Sequence, residues 1–473
     1  MKKRYIAIIL AAVLLLAAGA AGCTRITAGE EKLPPDITVL QTIVTTEEEL
    51  LQLTQLQNLQ NLDLRGSTLT AAQFDTLQAA LPGCDILWDV PFQGASLPSD
   101  SSRLTITDLT VEDIAQLRYL TDLITLDVSQ CSNYEVLATL LETYPELDVS
   151  YTVSLGEQTL PRYTRSIVAD SVDPGELSIR LRCLPQVTSV TLTEIPDDMD
   201  AMLQLQESYP DISFCWPLEV CGVLTSNTAT TLNLADIPME NTQALEDCLK
   251  YMPNLTKVDM CGCGISNEEM EALNNRHPDT LFVWIVNIGP YPVRTDITYY
   301  IPVKYQQRVG QEDCKNLRYC TELVALDLGH MPIVTCEFVS YMPHLKYLIM
   351  ADSSLTNIEP LADLKELVFL EIFLTYVTDY SPLLTVTSLE DLNICHTHGE
   401  MEPLTKMTWL KRLWWGGNPD DQLSDEEHAY LQSCLPNTQL VSDLVYSTGR
   451  GWRQGGHYYD MRDYFGMWYM DQD

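Results

Sequence analysis

Leu56-Gln-Asn-Leu59-Gln-Asn-Leu62-Asp-Leu64-Arg-Gly-Ser-Thr-Leu69 decides the fold. Its apolar residues fall in the frame L-x-x-L-x-x-L-x-L-x-x-x-x-L. The same frame returns at Leu123/Leu126/Val128, Val187/Val190/Leu192, Leu255/Val258/Met260, Leu323/Leu326/Leu328, Leu345/Leu348/Met350, Leu367/Leu370/Ile372, Leu389/Leu392/Ile394 and Leu410/Leu413/Trp415. From Leu326 to Leu413 the central residues are 22, 22, 22 and 21 positions apart. A short period-2 strand in each period, repeated, is a solenoid: no turn buries its apolar side alone, and stacked turns share one core.

A longer repeat runs through the first two thirds. Pro82, Pro145, Pro210 and Pro278 each follow an L-x-L strand by 19 or 20 residues. Six positions after each proline stands Trp88, Tyr151, Trp216 or Trp284, and then Gly94, Gly156, Gly222 or Gly289. The unit is 64 to 68 residues long, enough for three turns. In these the strands are of the type Leu104-Thr-Ile106 or Leu232-Asn-Leu234, then L-x-L, then the strand that carries the aromatic. A bulky ring at one repeat position is expected to pack on the next turn. Pro436 with Gly449 reads as a degenerate last copy. Apolar residues at helical spacing in Val111 to Leu123 and Tyr134 to Tyr144 predict helices on the outer side.

The stretch from about Cys314 to Trp415 resembles the 22-residue repeats of bacterial internalin-type leucine-rich repeat proteins. The best match is Ser354-Leu-Thr-Asn-Ile-Glu-Pro-Leu-Ala-Asp-Leu364, and Val377-Thr-Asp-Tyr-Ser-Pro-Leu383 repeats it. The resemblance implies an α/β repeat: a curved leucine-rich repeat solenoid with a parallel β-sheet on its concave face and helices or irregular turns on its convex face. The chain departs from that family at the asparagine of the turn, where Ser353, Thr375 and Thr397 stand, with Cys131 and Cys263 at earlier sites. These side chains still hydrogen-bond turn backbone. The expected organisation is a signal peptide at 1–22, a lipid-anchored tether at 23–36 and super-repeats over 37–312. Regular 22-residue repeats follow over 313–442, and an aromatic cap or tail over 443–473.

The start of the chain reads as an address. Lys2, Lys3 and Arg4 precede an apolar run from Tyr5 to Ala18, too short for a span. Ala20-Ala21-Gly22-Cys23 resembles a bacterial lipobox, with Ala where Leu is usual in the first position. Cys23 would then carry acyl chains in the outer leaflet of a cell membrane, and two chains give stable anchoring. The source is expected to be a bacterium of Gram-positive type. The chain holds 28 Lys+Arg against 66 Asp+Glu, a formal net charge of -38. Loss of residues 1–22 would leave 25 against 66, or -41. Such charge excludes a phosphate-binding footprint and hence nucleic acid, and leaves the lipid anchor as the only membrane contact.

Catalytic patterns are missing: no G-x-S-x-G, H-E-x-x-H or P-loop occurs, so no enzyme activity and no cofactor is expected. Cys395-His396-Thr397-His398 and Cys261-Gly-Cys263 sit at strand ends and read as turns rather than metal sites. The thirteen cysteines beyond Cys23 are odd in number, lack any CxxC pair and lie in apolar contexts, as free core thiols do. Candidate ligand contacts are the concave-face residues Asp63, Asp127, Asp259, Asp327, Tyr347, Phe369, Glu371, Phe373, Asn393 and Trp414. They point to a protein or glycan partner. A passive spacer of the envelope is the alternative, and a hidden enzyme built from distant turns is a remoter one. The tail Gly451-Trp-Arg-Gln-Gly-Gly-His-Tyr-Tyr-Asp-Met-Arg-Asp-Tyr-Phe-Gly-Met-Trp-Tyr-Met470 is either a cap on the last repeat or a docking strip.

Overall fold

The computed structural model describes residues 36–302, 306–416, 423–443 and 446–467, together with a two-residue antiparallel pair at Thr27–Ala28 and Glu31–Lys32. The signal peptide, Cys23 and the proposed tether up to residue 35 lie outside the described side chains. The chain divides into two compact units, Met1–Phe214 and Cys215–Asp473.

Both units are leucine-rich repeat solenoids of α/β type. In the first, Val39–Gln41, Asn61–Asp63 and Asp85–Leu87 form a parallel sheet with Leu40, Leu62 and Ile86 in register. Arg103–Thr105, Thr125–Asp127 and Asp148–Ser150 form the next, with Leu104, Leu126 and Val149 in register. Ser166–Ala169 then pairs with Ser189–Leu192. Helices such as Ala71–Ala80 and Tyr134–Thr143 return the chain on the outer side. Thr70 caps the first of these, exchanging hydrogen bonds with Gln73.

The recurrent prolines act as helix stops. Leu81, Tyr144, Tyr209, His277 and Leu435 each end a ten-residue helix, with φ between −128° and −119° and ψ between 62° and 69°. Each stands directly before a proline, whose ring disfavours the α region for its predecessor.

The third turn of each super-repeat holds an element absent from the sequence expectations: an antiparallel hairpin. In the first unit these are Asp89–Phe92 with Ala95–Pro98 and Thr152–Leu155 with Gln158–Pro161. In the second they are Pro217–Val220 with Val223–Ser226 and Ile285–Ile288 with Tyr291–Arg294. Gln93 and Gly94, at φ 47° and 78°, make the two-residue turn with both φ positive that matches strand twist. The hairpin interrupts the concave sheet: Asp85–Leu87 and Arg103–Thr105, on either side of one, belong to different sheets. Its base is closed reciprocally. Trp88 N donates to Ser99 Oγ at 3.1 Å and Ser99 N donates to Trp88 O at 2.9 Å. Trp216 with Asn227 and Trp284 with Thr295 repeat the pair. The rings themselves are buried, and Trp88 stacks on Phe74 at 4.3 Å with Tyr119 edge-on at 5.4 Å.

The second unit carries one three-stranded sheet, Thr231–Asn233, Lys257–Asp259 and Leu281–Val283, and one of seven strands. The seven are Tyr299–Tyr300, Ala325–Asp327, Tyr347–Ile349, Phe369–Glu371, Asp391–Asn393, Arg412–Trp414 and Gln439–Val441, all parallel. Several of their convex returns shrink to 3-10 turns, such as Glu359–Asp363 and Ser381–Thr385, each with a proline in its second position, while the return before the last strand keeps the helix Asp425–Cys434. Ser353, Thr375 and Thr397 hydroxyls donate to the backbone carbonyls of Met350, Ile372 and Ile394, three residues back. Those short bonds stand in for the family's turn asparagine.

Candidate functional site: the concave faces

In the three-residue strands of the parallel sheets, such as Asn61–Asp63 and Thr125–Asp127, the central side chain enters the core and its two neighbours face the concave side. The aspartates and asparagines that directly follow the central residue share one local task. Asp63, Asp127, Asn233, Asp259, Asp327 and Asn393 each accept, through Oδ1, the backbone N–H two residues on, at 2.8 to 3.1 Å. An Asx turn of this kind closes the strand end. The polar column read from sequence as a ligand surface is thus first a column of turn caps. The i to i+2 spacing was visible in the sequence, but alternation alone did not assign it.

Beyond that shared bond the positions diverge. Asp63 also pairs with Arg65 at 2.8 Å, and Arg65 reaches Asp100 at 3.0 Å. The Arg65 hydrogen bond holds the Asp63 carboxyl below its ordinary value, against the opposing effect of burial. Asp127 is held low by the Ser129 backbone bond. In the second unit Asp259 takes Arg294 at 2.7 Å; burial pushes its carboxyl up, and the guanidinium outweighs that.

The seven-stranded sheet is different. Tyr347, Phe369, Glu371, Phe373, Asn393 and Trp414 are all buried, with Trp414 and Asn393 at 0% exposure. The chain's own tail covers them. Trp452–Gln454 and the helix Tyr458–Tyr464 lie across this face, and Trp452, Tyr458, Met461 and Phe465 join Tyr347, Phe369, Phe373 and Trp414 in a second hydrophobic core. Trp452 packs against Phe369 at 5.3 Å and Trp414 at 5.2 Å, and its Nε1 donates to Glu371. Asn393 Nδ2 donates to Ser447 O at 2.9 Å, and Trp414 Nε1 to Gly449 O at 3.0 Å. These sequence-expected contacts are therefore brought together, but beneath a strap rather than open to a ligand.

A buried ion pair locks the strap. Arg412 grips Asp391 at 3.0 and 3.1 Å, donates to Trp452 O at 3.0 Å, and lies 4.4 Å over the Trp452 ring. Asp391 also accepts from His457 N at 2.7 Å. A Cβ on Gly456 would sit 2.2 Å from Asp391 Oδ2 and 2.4 Å from Arg412 Nε, and its φ of 58° is left-handed, so the crossing needs glycine. His457 bonds Glu390 at 2.6 Å and Asp460 at 3.0 Å. Burial lowers the His457 pKa, and the two carboxylates outweigh it to leave it above its ordinary value. Neither Arg412 nor Asp391 was singled out from sequence, because their partner lies some forty residues downstream.

Two carboxyls under the strap are pushed the other way. Burial raises Asp327 to about 6 and Glu371 to about 7, with the nearby Asp327 adding to the second. The thiols follow the same physics: the thirteen described cysteines are all free, nine of them are buried, and burial drives Cys183, Cys314, Cys320 and Cys336 to about 12. Such thiols are inert packing groups at neutral pH. Cys395 and Thr397 are buried in their turn. Among the described residues no group of three or more His, Cys, Asp or Glu is placed to hold a metal ion, and no helix is long and apolar enough to cross a membrane.

No family model matches the chain, and no curated protein matches it. Among solved structures it is similar to an internalin of Listeria monocytogenes str. 4b F2365, at 16% identity over 87% of this chain and 82% of that one, TM-score 0.26. It is similar to a leucine-rich repeat protein of Leptospira interrogans at 13% identity, over 86% and 90%, TM-score 0.28. It is similar also to internalin C2 of the same Listeria strain at 14% identity, over 59% and 92%, TM-score 0.21. At these identities and scores the fold rests on the strand register described above, not on the likeness.

Proposed function

We propose that the chain is a non-enzymatic, exported leucine-rich repeat protein, held at the outer face of a bacterial cell membrane by acyl chains on Cys23, that binds a protein partner on its uncovered concave face. The observation that supports this is the openness of that face in the first unit. Asn61, Arg103, Thr105, Asp148 and Ser150 are exposed on parallel strands, and no segment among the described residues of that unit lies over them. Asp127 keeps a second carboxylate oxygen for a partner, and Asp63 offers its Arg65 pair. A rigid sheet presenting polar side chains at fixed spacing is a recognition surface that needs no lid and no catalytic group. The aromatic candidates lie beneath the strap, and the polar open face that remains suits a protein partner.

Two measurements test the reading. Cys23→Ala should release the chain into the medium and abolish incorporation of labelled fatty acid; retention and unchanged labelling would overturn the anchor. Crosslinking on intact cells should capture a protein through wild-type chain and lose it with Arg103→Glu plus Asp148→Arg. Capture unaffected by that pair would leave the passive spacer as the better account.

A further inference from the structure

Between the strap and the seven-stranded sheet lies a cavity of about 260 Å³. Its sheet side presents Asp327 and Glu371, which stand in register on strands flanking Ile349. Phe373, Tyr458, Met461 and Phe465 supply the apolar and aromatic walls, and His330, Arg453 and Arg462 also line the cavity, Arg462 lying against Tyr458. Glu371 is 95% buried by area (5% exposed), and only one of its oxygens is used, by Trp452 Nε1. Asp327 likewise spends Oδ1 on Gly329 N at 2.8 Å. The second oxygens of both accept no hydrogen bond, and neither carboxylate forms an ion pair among the described residues. The neighbouring Asp391, by contrast, is fully neutralised by Arg412.

Two carboxylates, each with one oxygen free, face one aromatic-walled cavity, and a cation placed between them would satisfy both. A primary ammonium answers every feature: three donors for the two free oxygens, a positive charge for two acids, and an alkyl stem for the apolar wall. We infer that the cavity between the C-terminal strap and the concave sheet binds a small organic ammonium through Asp327 and Glu371. Because strap and sheet each supply part of the wall, the ligand holds the strap down when it binds. The ammonium can belong to a simple amine or to an amino acid. In the second case Arg453, which also lines the cavity and is exposed, meets the carboxylate. The inference is independent of the partner proposed for the open face of the first unit.

The test uses the full chain with n-butylamine, n-butanol and norleucine at equal ionic strength, read by calorimetric titration and by hydrogen exchange of residues 452–465. The amine is expected to bind one-to-one and to slow exchange of the strap, while the alcohol of the same shape does neither. Asp327→Asn and Glu371→Gln should each weaken amine binding about tenfold or more, the loss of one charged hydrogen bond, with the strap still docked. Norleucine binding more tightly than butylamine, and losing that advantage in Arg453→Ala, would identify the amino-acid source; the reverse order identifies the amine. Equal effects of amine and alcohol, or an amine affinity unmoved by both substitutions, would overturn the inference, and the wild-type comparison decides even if a variant fails to fold.

Discussion

The concave strand positions of residues 61–192 and those of residues 299–441 occupy equivalent places in the repeat, and their fates are opposite. The first set is polar and open; Arg103 and Asp148 face water. The second is aromatic and closed; Phe369 and Trp414 are fully buried under Trp452 and Tyr458. A sheet that exposes Asn, Arg and Ser can leave one face wet, whereas parallel strands bearing Phe, Tyr and Trp on that face need cover on both sides. The comparison also locates the strap. Leu435-Pro436 and the strand Gln439–Val441 repeat the arrangement Leu81-Pro82 and Asp85–Leu87. After Leu87 the chain turns into a hairpin; after Val441 it crosses the concave face instead.

Truncation is the strongest way to break this contrast. Deleting residues 446–473 strips the cover from the aromatic face, at a cost on the order of 5 kcal/mol or more from the apolar area exposed. Calorimetry should show the transition of the second unit lowered or lost, with binding of a hydrophobic dye, while hydrogen exchange in the first unit stays as it was. An unchanged melt would mean the strap is not part of that unit's core.

Within the strap the buried ion pair comes next. Arg412→Ala leaves Asp391 charged, buried and without its guanidinium, which costs about 3–5 kcal/mol in denaturant unfolding. Substituting Arg65, whose pair with Asp63 is solvent-exposed, should cost well under that. If the two losses were equal, burial would not be what distinguishes the faces.

Acidity sharpens the comparison further. Asp327 and Glu371 have folded pKa values of about 6 and 7 against ordinary values of 3.8 and 4.5. Raised carboxyls contribute stability that is present below those ordinary values and lost as pH climbs through 6 and 7. His457, raised above 6.5, works in the same direction: its contribution is lost as pH rises through its folded value. Glu390 is lowered by Lys411 and His457 against the effect of burial, so its contribution is lost only as pH falls through its folded value, below 4.5. Strap docking should therefore weaken by on the order of 2 kcal/mol from pH 5 to pH 8, seen as faster exchange of residues 452–465. Asp63 and Asp127, both lowered, predict no such alkaline loss in the first unit.

Smaller effects belong to the first unit. Gly94→Ala forces a side chain into φ 78° at a hairpin turn and should cost about 1–2 kcal/mol. Arg103→Ala on the open face should change stability by no more than about 0.5 kcal/mol. A loss of several kcal/mol there would show that this face, too, is covered in solution.

Much of the fold was readable before any coordinates. The L-x-L frame placed the central core residues of the repeat strands, and prolines 82, 145, 210, 278 and 436 marked the long repeat, though their role as helix stops came from the structure. The hairpins were not read. Their turns are short, and strands such as Asp89-Val-Pro-Phe92 carry a proline that argues against a strand. Serine, asparagine or threonine eleven residues after Trp88, Trp216 and Trp284 was the available clue, and it has meaning only once the hairpin folds Trp88 back against Ser99. Among the candidate contacts, residue type and alternation found the concave positions, but the tail's aromatic composition did not reveal where it would dock.

By itself, then, the sequence determined a stacked leucine-rich solenoid, its repeat lengths, its acidity and the inventory of side chains on its concave side. These follow from periodicity, a strand frame of closely spaced apolar residues that recurs every 21–22 residues and a longer unit of 64 to 68. Tertiary structure alone decided which of those side chains meet a partner and which meet the chain's own end. Trp452 finds Glu371 across 81 residues, and Arg412 finds Trp452 across 40. Contacts at such separations leave no periodic trace, because they depend on the stacked sheet already being in place to receive them.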